Sequence, residues 1–324
     1  MKSDYTPRVS FAIASYNSSA FLEAAVRSAL DQSDVSVEVL IVDDGSSDDS
    51  RELAERLAQE DSRVRALATP SNGGPAAARN VALTAMRGEW FAVLDSDDML
   101  APERTESLLE LAERHRADLV ADDLRVFSDD PVAGESFLGE AFAEVASLSL
   151  EIYLQHSVIY GNRPNFGFLK PMIRKQFLDR HAIHYDERMR IGEDDRLILA
   201  CLLAGGRYAI GSHAGYYYRK HDRSISHRLG PREADTMRQA NDELASLMQD
   251  RGAPVRKAFG RRAASYRNAA AFAHAIAAIK HGRADRSLAQ VIRNPGTIPL
   301  FMMPIRSRLA RIGTRNGRTK GGEE

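Results

Sequence analysis

Short apolar runs alternate with helix-patterned segments from Val9 to Ala121, and this alternation constrains the fold more than any other feature of the chain. The runs are Val9–Ala14, Val37–Val42, Val64–Ala68, Trp90–Leu94 and Leu119–Ala121, rich in β-branched residues and too short to be buried helices. Between them, Phe21, Leu22, Ala25, Val26, Ala29 and Leu30 recur at helical spacing, and Leu53 and Leu57 share a helix face. Ser47 or Asp48 is suited to cap that second helix. Pro75 stands where a first-turn proline belongs, ahead of Ala76–Met86, and Pro102 opens a helix through His115. Strands alternating with helices of this length predict an α/β fold, a mostly parallel central sheet with helices on both faces.

Downstream the pattern is less regular. The sequence predicts a helix around Ala143–Tyr160, helices at Arg174–Arg180 and Asp194–Ala204, and short strands at Arg207–Ile210 and Gly215–Arg219. A body ending near Asp250 divides into residues 8–125 and 126–230, and residues 251–324 read as a basic helical extension with a flexible end. Ala269–Ile279 is its most helical segment, and Pro295, Pro299 and Pro304 interrupt the chain beyond it. The net charge of −1 conceals a polarity: residues 251–324 carry 16 Lys and Arg against 3 Asp and Glu, leaving 28 against 42 before them. That split implies an acidic catalytic body and a basic tail with its own task. The single cysteine, Cys201, lies in the apolar run Leu197–Ala204 and reads as a core residue, so no internal disulfide forms. No stretch is long enough to span a membrane, and Met1–Pro7 lacks a secretory signal's apolar core. A cytoplasmic setting is the expectation.

Three polar motifs come directly after apolar runs: Ala14-Ser15-Tyr16-Asn17, Asp43-Asp44-Gly45-Ser46 and Asp95-Ser96-Asp97-Asp98. Each alone is a turn composition. Together they converge on the carboxyl edge of the predicted sheet, where open α/β sheets bind ligands. Asp95, Asp97 and Asp98 exceed what a helix cap requires. Carboxylates crowded this closely suit a hard cation, Mn²⁺ or Mg²⁺, bridging them to a substrate's phosphates. Such a cation neutralises charge on a departing diphosphate. Asn72-Gly73-Gly74-Pro75 leads into a helix whose amides can face an anion, and Arg79 one turn later can reach a phosphate or serve the core.

In order and spacing, these motifs with Ala78-Arg79-Asn80 resemble family 2 glycosyltransferases of the GT-A fold, the bacterial exopolysaccharide and succinoglycan type. The resemblance implies a nucleotide-sugar site. Ala14 and Tyr16 would line the base pocket, Asp44 would hold the base by its ring NH, and Asn17, Asp43, Gly73, Arg79 and Ser96 would complete it. Asp95, Asp97 and Asp98 would engage ribose, diphosphate and metal. Gly192-Glu193-Asp194-Asp195-Arg196 matches the family's acidic motif, which implies Asp194 as general base beside Glu193. Asp195 is an additional acid that shares the role or favours the helix start. Tyr216-Tyr217-Tyr218-Arg219-Lys220-His221 with Ser224 resembles the closing segment, so Arg219 would neutralise the leaving group and His221 would assist the metal. The resemblance covers residues 8–98 most densely and fades after about residue 230.

The resulting expectation is an inverting transfer of a hexose, glucose in the first instance, from a UDP-sugar to a lipid-linked polysaccharide. Basic residues flank the apolar segments Ala269–Ile279 and Ile298–Ile305, among them Arg261, Arg262, Arg267, Arg306, Arg308 and Arg311. This pattern fits a peripheral anchor on an anionic leaflet, or an extension packed on the acidic body. The tail has few aromatics to stack bases, which argues against nucleic acid. Self-association is compatible with the sequence. The competing readings are an inactive nucleotide-sugar-binding module and another nucleotide-diphosphate transferase. The second would require a catalytic lysine near the amino terminus, yet the first lysine after Lys2 is Lys170.

Overall fold

Val9–Ser15 (β1), Val37–Asp43 (β2), Val64–Ala68 (β3) and Trp90–Val93 (β4) form strands, with helices Leu22–Leu30 (α1), Ser50–Glu60 (α2) and Pro75–Ala85 (α3) between them. The structure, a computed structural model, describes residues 6–131, 133–139, 141–221 and 229–301. Ser224 and the basic residues Arg306, Arg308 and Arg311 therefore lie outside the described residues. In β2 every side chain is buried, and in β1 all but one, as befits strands covered by helices on both faces. Strand β1 pairs in parallel with β2, from Val9 opposite Val37 to Ser15 opposite Asp43, and on its other side with β4. The loops after β1 and β2 consequently leave the sheet side by side.

The chain continues through Met99–Leu100 (β5), Arg104–His115 (α4), Leu119–Ala121 (β6), Leu124–Phe127 (β7), Glu135–Ser136 (β8) and Leu150–His156 (α5). Then come Met172–Arg174 (β9), Lys175–His181 (α6), Glu193–Leu203 (α7), Tyr208–Ile210 (β10), Tyr216–Arg219 (β11), Pro231–Asp242 (α8), Ala253–Lys280 (α9) and Ala284–Arg293 (α10). The main sheet has the order β10-β6-β9-β4-β1-β2-β3. It is parallel except for β9, which runs antiparallel to β4 and β6. A second sheet, β5-β11-β7-β8, sits beside the loop after β4.

Strands β5, β7 and β8 and helix α8 were not expected from the sequence, and three further elements differ from the expectation. The helix expected over Arg174–Arg180 starts at Lys175, and Arg174 instead ends the strand Met172–Arg174; three residues carry no periodicity, and the gap between β4 and β6 gives them hydrogen-bonding partners. The helix expected over Ala143–Tyr160 contracts to Leu150–His156, because Ser149 caps it through the Ile152 N–H and Val145 bridges Ile210 instead. In the extension, α9 runs for 28 residues, far beyond Ala269–Ile279, and packs against α5, α8 and α10. Among the described residues no helix is long and apolar enough to cross a membrane.

Candidate active site

The loops after β1 and β2 are tied together by short polar side chains. Asn17 adopts a left-handed backbone (φ 50°), accepts the Ser47 N–H at 2.8 Å through Oδ1, and donates its own N–H to Ser46 Oγ at 3.0 Å. Asp48 accepts the Ser19 hydroxyl at 2.7 Å and the Ser50 N–H at 3.1 Å. It thus satisfies a first-turn amide of α2 although Asp49 is the residue at the cap. Asp44 accepts the N–H groups of Gly73 at 2.9 Å and Gly74 at 2.7 Å, and the Thr69 hydroxyl at 2.8 Å. The glycine amides expected to face a bound anion therefore face this carboxylate. Only a glycine holds the φ of 89° at Gly74 without strain, and a Cβ there would lie 3.1 Å from Arg190 Cγ.

These loops form one end of a cleft of about 850 Å³. Ala14, Tyr16, Asn17, Asp44 and Gly74 line it there, with Tyr16 49% exposed so that a face of its ring is available. Asp43 does not line the cleft; it is buried and accepts the Ser46 N–H at 3.2 Å, shaping the turn. Gly73 likewise acts through its N–H to Asp44 rather than from the wall.

At the middle of the cleft, two cations meet three carboxylates. Arg79, on α3, is buried and reaches Asp95 at 2.6 Å, Glu193 at 2.5 Å and Asp194 at 3.2 Å. Lys170, just ahead of β9, places Nζ 2.8 Å from both Asp95 and Asp194. Tyr185 donates its hydroxyl to Asp194 at 3.1 Å. Burial opposes ionisation of Asp95, but Lys170 and Arg79 outweigh it and hold the carboxyl at about 2. Burial pushes Glu193 up, with Arg79 opposing. Arg79 is thus committed to acids rather than left for a phosphate. Lys170 had no assignable role in the sequence, since nothing local distinguishes it from a surface lysine.

Asp97 and Asp98 part company. Asp97 lines the cleft, and its Oδ2 lies 2.8 Å from Nε2 of His221, whose ring stacks on Phe21. Burial and the neighbouring Asp95 raise the Asp97 carboxyl. Asp98 is buried beneath, accepting the Arg219 N–H at 2.7 Å, while its Oδ2 has no hydrogen-bond partner. Burial and the adjacent Asp97 raise it well above the usual carboxylate range. Arg219 departs from the expected leaving-group role. Its Nε holds the Asp97 carbonyl at 2.9 Å and its guanidinium sits over Phe21 and Phe127, so it clamps the loop and does not line the cleft. Tyr216, at the base, accepts the Asp95 N–H at 3.0 Å.

Among the described residues, no group of three or more His, Cys, Asp or Glu is arranged to enclose a metal ion. Asp97 and His221 nevertheless fit a hard cation. A carboxylate and an imidazole face each other at the cleft wall, and such ions take few protein ligands when phosphates supply the rest. Asp95 fits less well than expected because Arg79 and Lys170 occupy its oxygens, and Asp98 lies below the wall.

Asp194 and Asp195 face different partners. Gly192, at φ 79°, turns the chain into α7, and a Cβ there would meet Met237 at 2.9 Å. Asp195 then accepts from Arg262 at 2.5 Å, from Tyr153 at 2.8 Å and from Tyr266 at 2.9 Å. Burial alone would raise its carboxyl, but Arg262 brings it below the usual value. Asp195 lines the cleft and is as exposed as Asp194, but Arg262, Tyr153 and Tyr266 engage both its oxygens, which fits a structural task better than a shared base role. The cleft is also lined by Phe137, Ile159, Tyr160, Phe168, Leu229 and Met237.

The sequence profile described as "Glycosyl transferase family 2" matches residues 10–190. The succinoglycan biosynthesis protein ExoO of Rhizobium meliloti (strain 1021) is 35% identical over 321 residues, covering 96% of this chain and 89% of that one. Among solved structures, S. aureus TarS 1-349 in complex with UDP superposes with a TM-score of 0.61 at 19% identity, covering 89% of this chain and 92% of that chain. The mannosyltransferase PcManGT from Pyrobaculum calidifontis, in complex with GDP-Man and Mn²⁺, gives 0.59 at 16% identity, covering 96% and 81%. At such identities the likeness is one of fold, and the fold is GT-A.

Proposed function

Since the chain belongs to glycosyl transferase family 2 and is a glycosyltransferase, we propose that it moves a hexose from a UDP-sugar to a hydroxyl of a growing polysaccharide, inverting the anomeric centre. The observation that carries this reading is the cleft itself, in which Arg79 and Lys170 link Asp95 to Glu193 and Asp194. Tyr16 and Ala14 flank the base, and Asp44 keeps acceptor capacity on Oδ2 for a ring NH beside its bond to Gly74. Ribose and diphosphate lie along Asp95, Ser96 and Asp97. Asp97 with His221 would hold Mn²⁺ or Mg²⁺, which supplies charge neutralisation to the diphosphate.

Asp194 accepts the proton of the acceptor hydroxyl as its oxygen attacks the anomeric carbon and the bond to the diphosphate breaks. Lys170 and Tyr185 fix that carboxylate's orientation. With no protein nucleophile in the scheme, one displacement inverts the centre. The relative's role in succinoglycan biosynthesis supports an exopolysaccharide product. A lipid-linked acceptor at the cytoplasmic leaflet is supported by the basic carboxyl-terminal segment and by Leu288 and Ile292. These lie four residues apart on α10 and are 61% and 70% exposed.

Calorimetric titration of UDP, GDP and ADP with and without Mn²⁺, on the native protein and on Asp194→Asn, tests the reading. We expect UDP to bind best and with metal, and Asp194→Asn to keep UDP affinity within about twofold while transfer falls by about 10²–10⁴. Equal binding of ADP, or full turnover by Asp194→Asn, would count decisively against it.

A further inference from the structure

The profile of the family ends at residue 190, yet a side chain beyond it reaches the acid turn from 67 residues downstream. Arg262, in α9, is 1% exposed. It gives Nη2 to Asp195 Oδ2 at 2.5 Å and Nη1 to Asp195 Oδ1 at 3.1 Å, a two-pronged grip on one carboxylate. Nη1 also reaches the Ser157 carbonyl after α5 at 3.1 Å, and Nε reaches Asn241 Oδ1 on α8 at 2.8 Å. Its guanidinium lies 4.5 Å from the ring centroid of Tyr266, one turn along α9, whose hydroxyl donates to the same carboxylate. Tyr153 of α5 supplies the remaining donor. From the other side Gly167 presses on Asp195, where a Cβ would come within 2.7 Å of Asp195 Cβ. Helices α5 and α9 directly, α8 through Arg262, and the segment before β9 thus converge on the residue next to Asp194.

We infer that Arg262 is a positioning residue for the transfer, fixing the first turn of α7 through Asp195 so that Asp194 meets the acceptor hydroxyl. The inference rests on the reading of Asp194 as the base. Asp194 and Asp195 share one rigid helical turn, so Asp195 cannot shift without carrying Asp194 along. A misplacement of about 1 Å is enough to cost on the order of 10²-fold in rate. Arg262 does not line the cleft, so its effect is indirect. By this account α9 is part of the catalytic unit and does not merely anchor it.

The test compares Arg262→Met, Tyr266→Phe and the double variant Arg262→Met/Asp195→Leu with the native protein. Melting temperature, Mn²⁺-dependent UDP affinity and UDP release from a UDP-sugar by water are the readouts. Arg262→Met alone leaves a buried carboxylate unpaired and can fail to fold. The double variant removes both charges together, and replacing a buried ion pair by apolar residues is often neutral or stabilising. Tyr266→Phe deletes one hydrogen bond and keeps the fold. We expect UDP affinity unchanged in Tyr266→Phe and in the double variant. We expect kcat to fall severalfold in the first and about 10²-fold in the second, even where the melting temperature is native. Native kcat in Tyr266→Phe, or in a folded double variant, overturns the inference. Should the double variant not fold, Tyr266→Phe decides alone. Asp194→Asn measured alongside separates the two ideas: an inactive Asp194→Asn with fully active Arg262 and Tyr266 variants sinks only the positioning role. A fully active Asp194→Asn sinks the base reading first.

Discussion

Lys170 stands 2.8 Å from Asp95 and Asp194, two carboxylates that Arg79 alone would otherwise hold together. Removing one partner of a buried ionic cluster leaves charge uncompensated, at a cost of about 3–5 kcal/mol. Lys170→Met should therefore lower the unfolding free energy by about that amount at pH 7 in urea titrations. The sign of its pH dependence is set by Asp95, whose carboxyl is held at about 2 against an ordinary 3.8. A depressed carboxyl contributes stability fully above its unfolded value and loses it as pH falls through the folded one. The gap between native and Lys170→Met should accordingly be complete above about pH 4 and shrink toward pH 2. A gap independent of pH would mean that the ammonium does not act on ionised carboxylates. None of this was legible in the residue itself: Lys170 comes after an irregular stretch, and its partners lie 75 and 24 residues away.

Elements were legible where burial imposes a pattern. β1 and β2 read clearly because a strand buried on both faces needs a continuous apolar run. β9 did not, since three residues between Pro171 and α6 offer no period, and only the gap between β4 and β6 makes them a strand. The motif Asn72–Gly74 was legible as a loop before a helix, but its partner was not. The amides turn to Asp44 because α3 starts where β2 ends, a juxtaposition set by pairing across the sheet. Gly74→Ala tests that loop. The left-handed backbone and the 3.1 Å approach to Arg190 should cost about 1–3 kcal/mol and displace an N–H from Asp44, weakening UDP binding. Gly139→Ala is the control, at φ 98° with nothing within 4 Å of the added Cβ. It should show the strain in a thermal melt and leave UDP affinity intact. Equal loss of affinity in both would show that strain alone, rather than the grip on Asp44, matters.

Across the whole molecule, the change of charge sign near Asp250 suggested a body and an appended basic tail. That α9 would be helical was visible in its alanine-rich stretch; that it inserts Arg262 beside the acid turn was not, because a buried arginine has no local mark among 16 basic residues. Its buried face, with Phe259, Ala263 and Tyr266, belongs to the packing around α5 and α8. A chain ending at Asp250 should then fail as a folded unit. It loses about 1.5–3 kcal/mol for each large apolar side chain that leaves the core. A further cost of about 3–5 kcal/mol comes from an Asp195 left without its cation. Together these consume most of the 5–15 kcal/mol that an ordinary domain possesses. A chain ending at Gly282 keeps the whole of α9 and should melt cooperatively and bind UDP. Circular-dichroism melts of the two truncations decide the matter. A cooperative melt at native temperature for the chain ending at Asp250 would make α9 an appendage after all. A melt only for the longer chain places the edge of the catalytic unit beyond α9, on the far side of the point where the charge changes sign.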